Sequence, residues 1–190
     1  MMALKQILFL MCMSNILHQA FKLEGNGLLR SLITPVILYP DILFDVSKLN
    51  DILSNPMATD FRFTALWDTG ATCSCIKPDI AQKLNITNNI VTYREVTGVN
   101  SKTETKPVYR IGALVLPNRV IFQGFHLVES NIASDADILI GMDLILQGDF
   151  AISNYGDKTT FCFSMPPHHN KIDLVERGEK VNQKFNKRTI

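Results

Sequence analysis

Short apolar runs, separated by turn residues, recur between Leu28 and Pro166 and constrain the fold more than any other feature of the sequence. Many of these runs are rich in Val, Ile, Thr, Tyr and Phe, the residue types that favour β-strands. The predicted strands are Leu32–Tyr39, Ile42–Val46, Phe61–Trp67, Ile90–Thr97, Val108–Leu116, Val120–Val128, Ile138–Ile140, Phe150–Ser153 and Thr160–Ser164. Strands at this spacing predict an all-β domain.

Two short helices are predicted within this domain. One begins at Pro78, a residue type that suits the first helical position, and the other covers Met142–Gln147. Residues Ser47–Met57 are interpreted as an insertion that contains a helical turn. Turns are predicted at Leu116–Arg119 and at Asn154–Asp157, where Pro, Asn, Asp and Gly cluster.

The domain is predicted to span residues 28–166, with a segment on either side of it. Residues 1–27 contain the apolar run Ile7–Met13, which is too short to cross a bilayer and is at the lower limit for a signal peptide. This segment is therefore either an N-terminal helix or a signal peptide. Residues 167–190 are polar and basic, and they are interpreted as a mobile or peripheral tail.

The cysteine count bears on the cellular compartment. Removal of residues 1–20 as a signal peptide would remove Cys12 and leave three cysteines. Three cysteines cannot all pair within one chain, which favours a reducing compartment. The cytoplasm is therefore the favoured location, and a secreted or periplasmic location is the alternative if residues 1–20 are a signal peptide.

The charge balance bears on the class of partner. The chain has 19 Lys and Arg against 18 Asp and Glu, and its net charge is +1. A domain that binds nucleic acid usually carries a clear basic excess, so nucleic acid is not expected as a partner. No apolar run reaches the roughly 20 residues needed to span a bilayer, so a membrane is not expected as a partner either. The hydrophobic fraction of 46% excludes wholesale disorder.

An Asp-Thr-Gly sequence, Asp68–Gly70, directly follows the predicted strand Phe61–Trp67. By itself it is typical of a strand-end turn, in which the carboxylate accepts hydrogen bonds from nearby backbone amides. The apolar pattern then resumes at Cys73 and Cys75, and a carboxylate between two apolar strands needs partners or a function. The two cysteines lie on one face of an extended strand and are expected to be small buried hydrophobes rather than metal ligands.

A second apolar run, Ile138–Ile140, ends at Gly141, 73 residues after Asp68. It can be interpreted as a buried core strand in which the glycine permits close backbone approach. Asp137 and Asp143 flank this run and are interpreted as structural. Asp143 is expected to bond backbone amides at the start of the short helix.

Together these motifs resemble the retroviral-type (retropepsin-like) aspartic proteases. Asp68–Ala71 matches the catalytic loop of that family, and Leu139–Gly141 matches the apolar-apolar-Gly strand beside the loop. Val96–Asn100 resembles the tip of the flap hairpin that closes over substrate. The end of the domain, from Gly148–Ile152 to Phe161–Ser164, is similar to the ends of bacterial and phage members of the family. The resemblance implies a closed, barrel-like all-β fold with one or two short helices and one catalytic loop per chain.

The resemblance also implies an aspartic endopeptidase that acts on a protein or peptide substrate without metal or cofactor. Two carboxylates that share one proton can act as general base and general acid at the same time. Because the chain has one such loop, the second carboxylate comes from a second copy in a homodimer, and Thr69 hydrogen-bonds across the two-fold axis. The implied catalytic residues are Asp68, Thr69 and Gly70, and the implied substrate-binding residues are Ala71, Thr72, Thr97, Gly98 and Val99.

Two alternatives stay open. The same fold could be a dimeric peptide-binding or scaffolding module without turnover, although such a module would not need a buried carboxylate pair. The Asp-Thr-Gly turn could also belong to an unrelated β-barrel binding protein. In addition, Thr72 stands where viral enzymes usually carry an acidic residue, which leaves recognition of the substrate backbone at that position open.

Overall fold

A computed structural model of the chain describes residues 17–41, 61–97 and 103–186. Its strands are β1 (Gln19–Glu24), β2 (Ile33–Pro40), β3 (Arg62–Trp67), β4 (Cys75–Ile76), β5 (Ile90–Thr97), β6 (Thr103–Val115), β7 (Ile121–Glu129), β8 (Ile138–Ile140), β9 (Asp149–Ser153) and β10 (Thr160–Met165). Its α-helices are α1 (Pro78–Lys83), α2 (Met142–Ile145) and α3 (Leu174–Asn186). Within these ranges the chain is mostly β, as the sequence predicts.

Six strands close into a barrel. The larger sheet has the order β2-β3-β8-β4-β7-β6-β5, and β2 also pairs with β6, which closes the ring and leaves β5 outside it. Closure removes the open edges that a flat sheet of this size would expose. Strand β3 runs antiparallel to β2 and parallel to β8, so its C-terminal end lies beside the C-terminal end of β8. The prediction of a closed, barrel-like all-β fold is confirmed.

A second sheet of three strands, in the order β1-β10-β9, packs on the barrel. Strand β1 was not predicted, because the sequence analysis assigned its residues to an N-terminal helical or signal-like segment. In β1, Phe21 is buried while Lys22 is exposed, and the strand pairs antiparallel with β10 over its whole length. This alternation is too short to stand out in the sequence, and the pairing with β10 stabilises the strand. The expected helix around the run Ile7–Met13 lies outside the described residues.

Aromatic rings join the small sheet to the barrel. The Trp67 ring lies 5.0 Å from the ring centroids of both Phe161 and Phe163 on β10, and Phe21 packs beside them. The indole Nε1 of Trp67 donates a 3.0 Å hydrogen bond to the buried hydroxyl of Thr34 on β2. A buried indole that finds both ring contacts and a partner for its N–H is held in one orientation. Trp67 therefore fixes the end of β3, directly before Asp68.

The remaining elements follow the predictions in part. Helix α1 begins at Pro78 as predicted, α2 is shorter than predicted, and both predicted turns are present. Helix α3 lies within residues 167–190, which the sequence analysis interprets as a mobile or peripheral tail without a helix. The predicted strand Ile42–Val46 and the insertion Ser47–Met57 lie outside the described residues. No helix in the described part of the chain is long and apolar enough to cross a membrane.

Candidate active site

The carboxylate of Asp68 lies at the C-terminal end of β3, where the strand stops and the Thr-Gly turn begins. The Asp68 backbone N–H donates a 2.9 Å hydrogen bond to the carbonyl of Ile140, which anchors the residue to β8. The N–H of Gly70 donates to the Asp68 Oδ1 at 2.8 Å, and the N–H of Ala71 donates to the Asp68 carbonyl at 3.2 Å. The side chain is half-buried and held by its own turn, so one carboxylate oxygen has a defined position.

The two sequence motifs lie side by side. Strand β3 pairs in parallel with β8, and Trp67 stands opposite Ile140 in the register. Beyond this pair, the N–H of Met142 donates a 2.8 Å hydrogen bond to the carbonyl of Ala71. The prediction that the Leu139–Gly141 strand passes beside the Asp68 loop is therefore confirmed by backbone hydrogen bonds on both sides of Gly141.

Gly141 permits this close approach. A Cβ atom at this position would lie 2.6 and 2.7 Å from the backbone C and O of Cys73, and 3.0 Å from the carbonyl oxygen of Ala71. The backbone φ of Gly141 is −94°, which any residue can adopt, so the requirement for glycine is purely one of space. The Asp68 loop can lie against the end of β8 only because residue 141 has no side chain.

Hydrogen bonds join Ser74 to Asp143 under the Asp68 loop, and we call this pair the Ser74–Asp143 brace. The sequence analysis assigned a structural role to Asp143 but did not identify Ser74. The Ser74 hydroxyl donates a 2.6 Å hydrogen bond to Asp143 Oδ1, and the Ser74 N–H donates to Asp143 Oδ2 at 3.0 Å. The same hydroxyl accepts a 3.0 Å hydrogen bond from the N–H of Gly141. Ser74 is fully buried, and hydrogen bonds to a carboxylate are stronger than those between neutral groups. The available signal was a serine within an apolar stretch, because a buried hydroxyl needs a partner.

Both flanking aspartates are structural, as the sequence analysis expects. Asp143 also accepts a 3.0 Å hydrogen bond from the N–H of Leu144 at the start of α2. Asp137 lies on the other side of β8, where its Oδ2 accepts hydrogen bonds from the N–H of Thr64 at 2.8 Å and from the Thr64 hydroxyl at 3.0 Å. Asp137 therefore fastens the start of β8 to β3, and Asp143 joins the start of α2 to Ser74.

The residues of the predicted flap fall on the β5–β6 hairpin, and a role as a flap over substrate stays a prediction. Thr97 pairs with Thr103 at the end of the described ladder, and their hydroxyl oxygens are 3.1 Å apart. The predicted tip residues Gly98 and Val99 lie outside the described residues. Val96, the residue before Thr97, is half-buried and belongs to an apolar cluster that adjoins the Asp68 loop. We call this cluster the cleft wall; its members are Cys73, Cys75, Val96, Val108, Val128, Ile132 and Leu139.

The structure brings together Asp68, Thr69, Gly70, Ala71 and Thr72 in one turn. Thr69, Gly70 and Thr72 are exposed in the single chain, and Ala71 is half-buried. A Cβ atom at residue 70 would lie 3.2 Å from Asp68 Oδ1, so glycine leaves the carboxylate uncrowded. The roles assigned to these residues in catalysis and substrate binding remain predictions.

Cys73 and Cys75 are both free thiols next to this turn. Cys75 is buried in the apolar cleft wall, as predicted, whereas Cys73 is half-buried. The Sγ of Cys75 contacts the carbonyl oxygen of Cys73 at 3.6 Å. Within the described ranges, no three His, Cys, Asp or Glu side chains come together as metal ligands would.

A closed β-barrel that presents one carboxylate on an Asp-Thr-Gly turn, beside a glycine-ended strand, defines an aspartic-protease-like domain. The sequence of residues 58–147 matches the family model described as "gag-polyprotein putative aspartyl protease". No curated protein matches the chain at a significant level. The family match and the barrel agree, and both support a retropepsin-like aspartic protease fold for this chain.

Solved structures with a similar fold include a retropepsin-like aspartic protease from Rickettsia conorii. It is 13% identical, the match covers 78% of this chain and 96% of that chain, and the TM-score is 0.51. The retroviral protease-like domain of Ddi1 from Leishmania major is 17% identical, over 64% of this chain and 82% of that chain, with a TM-score of 0.35. At such low identity the Rickettsia protein shows a common fold.

Proposed function

We propose that the chain is an aspartic endopeptidase that is active as a homodimer, with one Asp68 carboxylate from each copy. The observation that carries this proposal is the position of Asp68. Its carboxylate is held by the Gly70 N–H at 2.8 Å, at the end of a buried strand, next to the exposed residues Thr69 and Gly70. An acidic group fixed in this way suits general acid–base chemistry.

The dimer follows from the chemistry of amide hydrolysis. Water must lose a proton while the peptide group gains one, and a single carboxylate cannot do both at the same moment. Two carboxylates held close together share one proton, because both cannot be charged at short distance. The exposed Thr69 supports this proposal, since its hydroxyl is open to a hydrogen bond across a two-fold axis.

In the proposed reaction, the charged Asp68 takes a proton from water, and the oxygen of that water attacks the peptide carbonyl carbon. The neutral Asp68 of the second copy gives its proton to the carbonyl oxygen, which forms a neutral tetrahedral intermediate. The first Asp68 then gives the proton that it took from water to the amide nitrogen. The C–N bond breaks, and the intermediate returns a hydroxyl proton to the second Asp68, which leaves a carboxylic acid and an amine. The substrate lies extended beneath the β5–β6 hairpin, adds strand-like hydrogen bonds, and places apolar side chains against the cleft wall.

A peptide-library digest tests this proposal. The protein is incubated with the library with and without a pepstatin-type inhibitor, which mimics the tetrahedral intermediate, and the products are sequenced by mass spectrometry. We expect cleavage within peptides that have apolar residues at the cut, and we expect the inhibitor to stop it. Peptide binding without any cleavage would instead support the scaffolding alternative.

Dilution is expected to reduce specific activity, because half of the site comes from each chain. Thr69→Ala should steepen this loss, because it removes a cross-axis hydrogen bond worth about 1 kcal/mol. Activity per mole and sedimentation are measured over the same concentration series, with Ser153→Ala on β9 as the control for loss of an exposed hydroxyl outside the site. Full activity of a monomer at high dilution would contradict the dimeric site.

Ala71→Ser is expected to move the basic limb of the kcat/KM profile to lower pH. Pepsin-like loops usually carry serine at this position, and its hydroxyl can donate to the charged dyad. The added donor stabilises the fully charged pair, so the shared proton is lost at lower pH. The test compares the wild-type and Ala71→Ser profiles on one peptide. A basic limb that stays in place would show that residue 71 does not reach the dyad.

A further inference from the structure

Cys73 and Cys75 form a pair of thiols that the proposed peptide chemistry does not use. They follow Asp68 by five and seven residues, and both side chains belong to the cleft wall. The two side chains pack in the same apolar cluster, and Cys75 Sγ is 3.6 Å from the carbonyl oxygen of Cys73. Cys73 is half-buried, so a small reagent can reach it, whereas Cys75 is 8% exposed.

The groups around Cys73 favour its thiolate. The pKa of Cys73 is lowered, first by the hydrogen bond from the Cys75 thiol and then by the positive charge of Arg94 on β5; the Thr72 hydroxyl adds a further hydrogen bond. Partial burial and the negative charge of Asp143 oppose this shift. The pKa of Cys75 is raised, first by its hydrogen bond to Cys73 and then by burial. The pair therefore loses its first proton at Cys73, while Cys75 keeps its own.

We propose that Cys73 is a peroxide-reactive modification site and that Cys75 is its resolving thiol. A reachable thiolate next to a second thiol is the arrangement that peroxide-sensitive cysteines require. Cys162 on β10 is also half-buried, but it belongs to the small sheet and is not part of this pair. It provides a reference thiol within the same chain.

The chemistry takes two steps. The Cys73 thiolate attacks one oxygen of hydrogen peroxide, so that an S–O bond forms and the O–O bond breaks. The released hydroxide takes up from solvent the proton that Cys73 lost on ionisation and leaves as water. The sulfur is oxidised by two electrons to sulfenic acid, and the peroxide is reduced. The Cys75 sulfur then attacks the Cys73 sulfur, an S–S bond replaces the S–O bond, and the hydroxyl leaves with the Cys75 proton as a second water.

Oxidation at this place alters the cleft wall. The disulfide removes the thiol pair that packs beside Val96 and Leu139 and constrains the chain directly after the Asp68 loop. Loss of peptidase activity, reversible by a thiol reductant, is the consequence. This consequence rests on the proposed function, whereas the reactivity of Cys73 does not.

The experiment treats the full chain with hydrogen peroxide and maps each cysteine by mass spectrometry over time. We expect Cys73 to react at least about 10-fold faster than Cys162 and the product to be a Cys73–Cys75 disulfide. In Cys75→Ala the sulfenic acid on Cys73 should accumulate and be trapped by dimedone, and in Cys73→Ser neither product should form. Circular dichroism checks that each variant is folded. If a variant does not fold, the mapping of the wild-type protein still tests the proposal.

Cys73 and Cys162 reacting at equal rates, or oxidised wild type without a Cys73–Cys75 disulfide, would overturn the assignment. Peptide cleavage is then measured before oxidation, after it, and after reduction with dithiothreitol. Unchanged cleavage by the cross-linked protein would overturn the effect on the cleft. If the untreated protein cleaves no peptide, the proposed function fails, and the thiol mapping still decides the modification site.

Discussion

Asp68→Asn is expected to lower peptide hydrolysis by at least about 100-fold, because general acid–base catalysis of this kind contributes roughly 100- to 10,000-fold. The amide has the shape of the carboxylate but cannot take a proton from water at neutral pH. Its oxygen can still accept the hydrogen bond that the Gly70 N–H gives to Asp68 Oδ1, so the turn should keep its form. Initial rates on the best library peptide measure the effect.

The control for this substitution is the state of the protein itself. Melting temperature and sedimentation of Asp68→Asn should match those of wild type, since no buried contact of the barrel is lost. Asp137→Asn is the matched variant, because its carboxylate bonds Thr64 on β3 and is assigned no part in the chemistry. Turnover by Asp68→Asn at the wild-type rate would contradict the aspartic-protease mechanism.

Gly141→Ala is expected to destabilise the fold by about 3 kcal/mol, in the upper range for the insertion of one methyl group into a packed site. The new Cβ would lie 2.6 Å from the backbone C of Cys73, where no flexible side chain can move aside. The Asp68 loop and β8 must separate, so activity should fall together with stability. Urea denaturation followed by circular dichroism measures the change.

Gly178→Ala is the matched control for this prediction. A Cβ atom at residue 178 meets nothing within 4 Å, and the residue lies within α3. The substitution should leave stability unchanged or raise it by up to about 1 kcal/mol, because alanine favours helix more than glycine does. If Gly141→Ala were as stable as Gly178→Ala, the close approach of loop and strand would not require glycine.

The barrel could be predicted where local pattern and tertiary environment agree. Strands β5 and β8 have the bounds that the sequence predicts, Ile90–Thr97 and Ile138–Ile140, because β-branched runs with clear turn signals mark them. Strand β1 could not be found, because its six residues carry little more than the alternation of Phe21 and Leu23 with charged residues. Its pairing with β10 depends on residues more than 130 positions away, which no local pattern reports.

The candidate site could also be predicted only where a local motif marks the residue. Asp68 and Gly141 were identified because both carry motifs, and their proximity followed from the resemblance to a known family. The Ser74–Asp143 brace could not be predicted, because a serine in an apolar stretch signals only that it needs a partner, and that partner is 69 residues away. The hydrogen bond from Trp67 to Thr34 was missed for the same reason. Polar contacts between distant strands depend on the register, which only the folded barrel supplies.

A subunit-mixing experiment tests the shared dyad most directly. Wild-type protein at fixed concentration is mixed with increasing amounts of Asp68→Asn, subunits are allowed to exchange, and peptide cleavage is measured against an inert protein added in equal amounts. The account predicts that activity falls steadily as wild-type chains are drawn into mixed dimers, since each mixed dimer has only one carboxylate. Unchanged activity in the presence of a large excess of exchanging Asp68→Asn subunits would contradict a site built from two copies of Asp68.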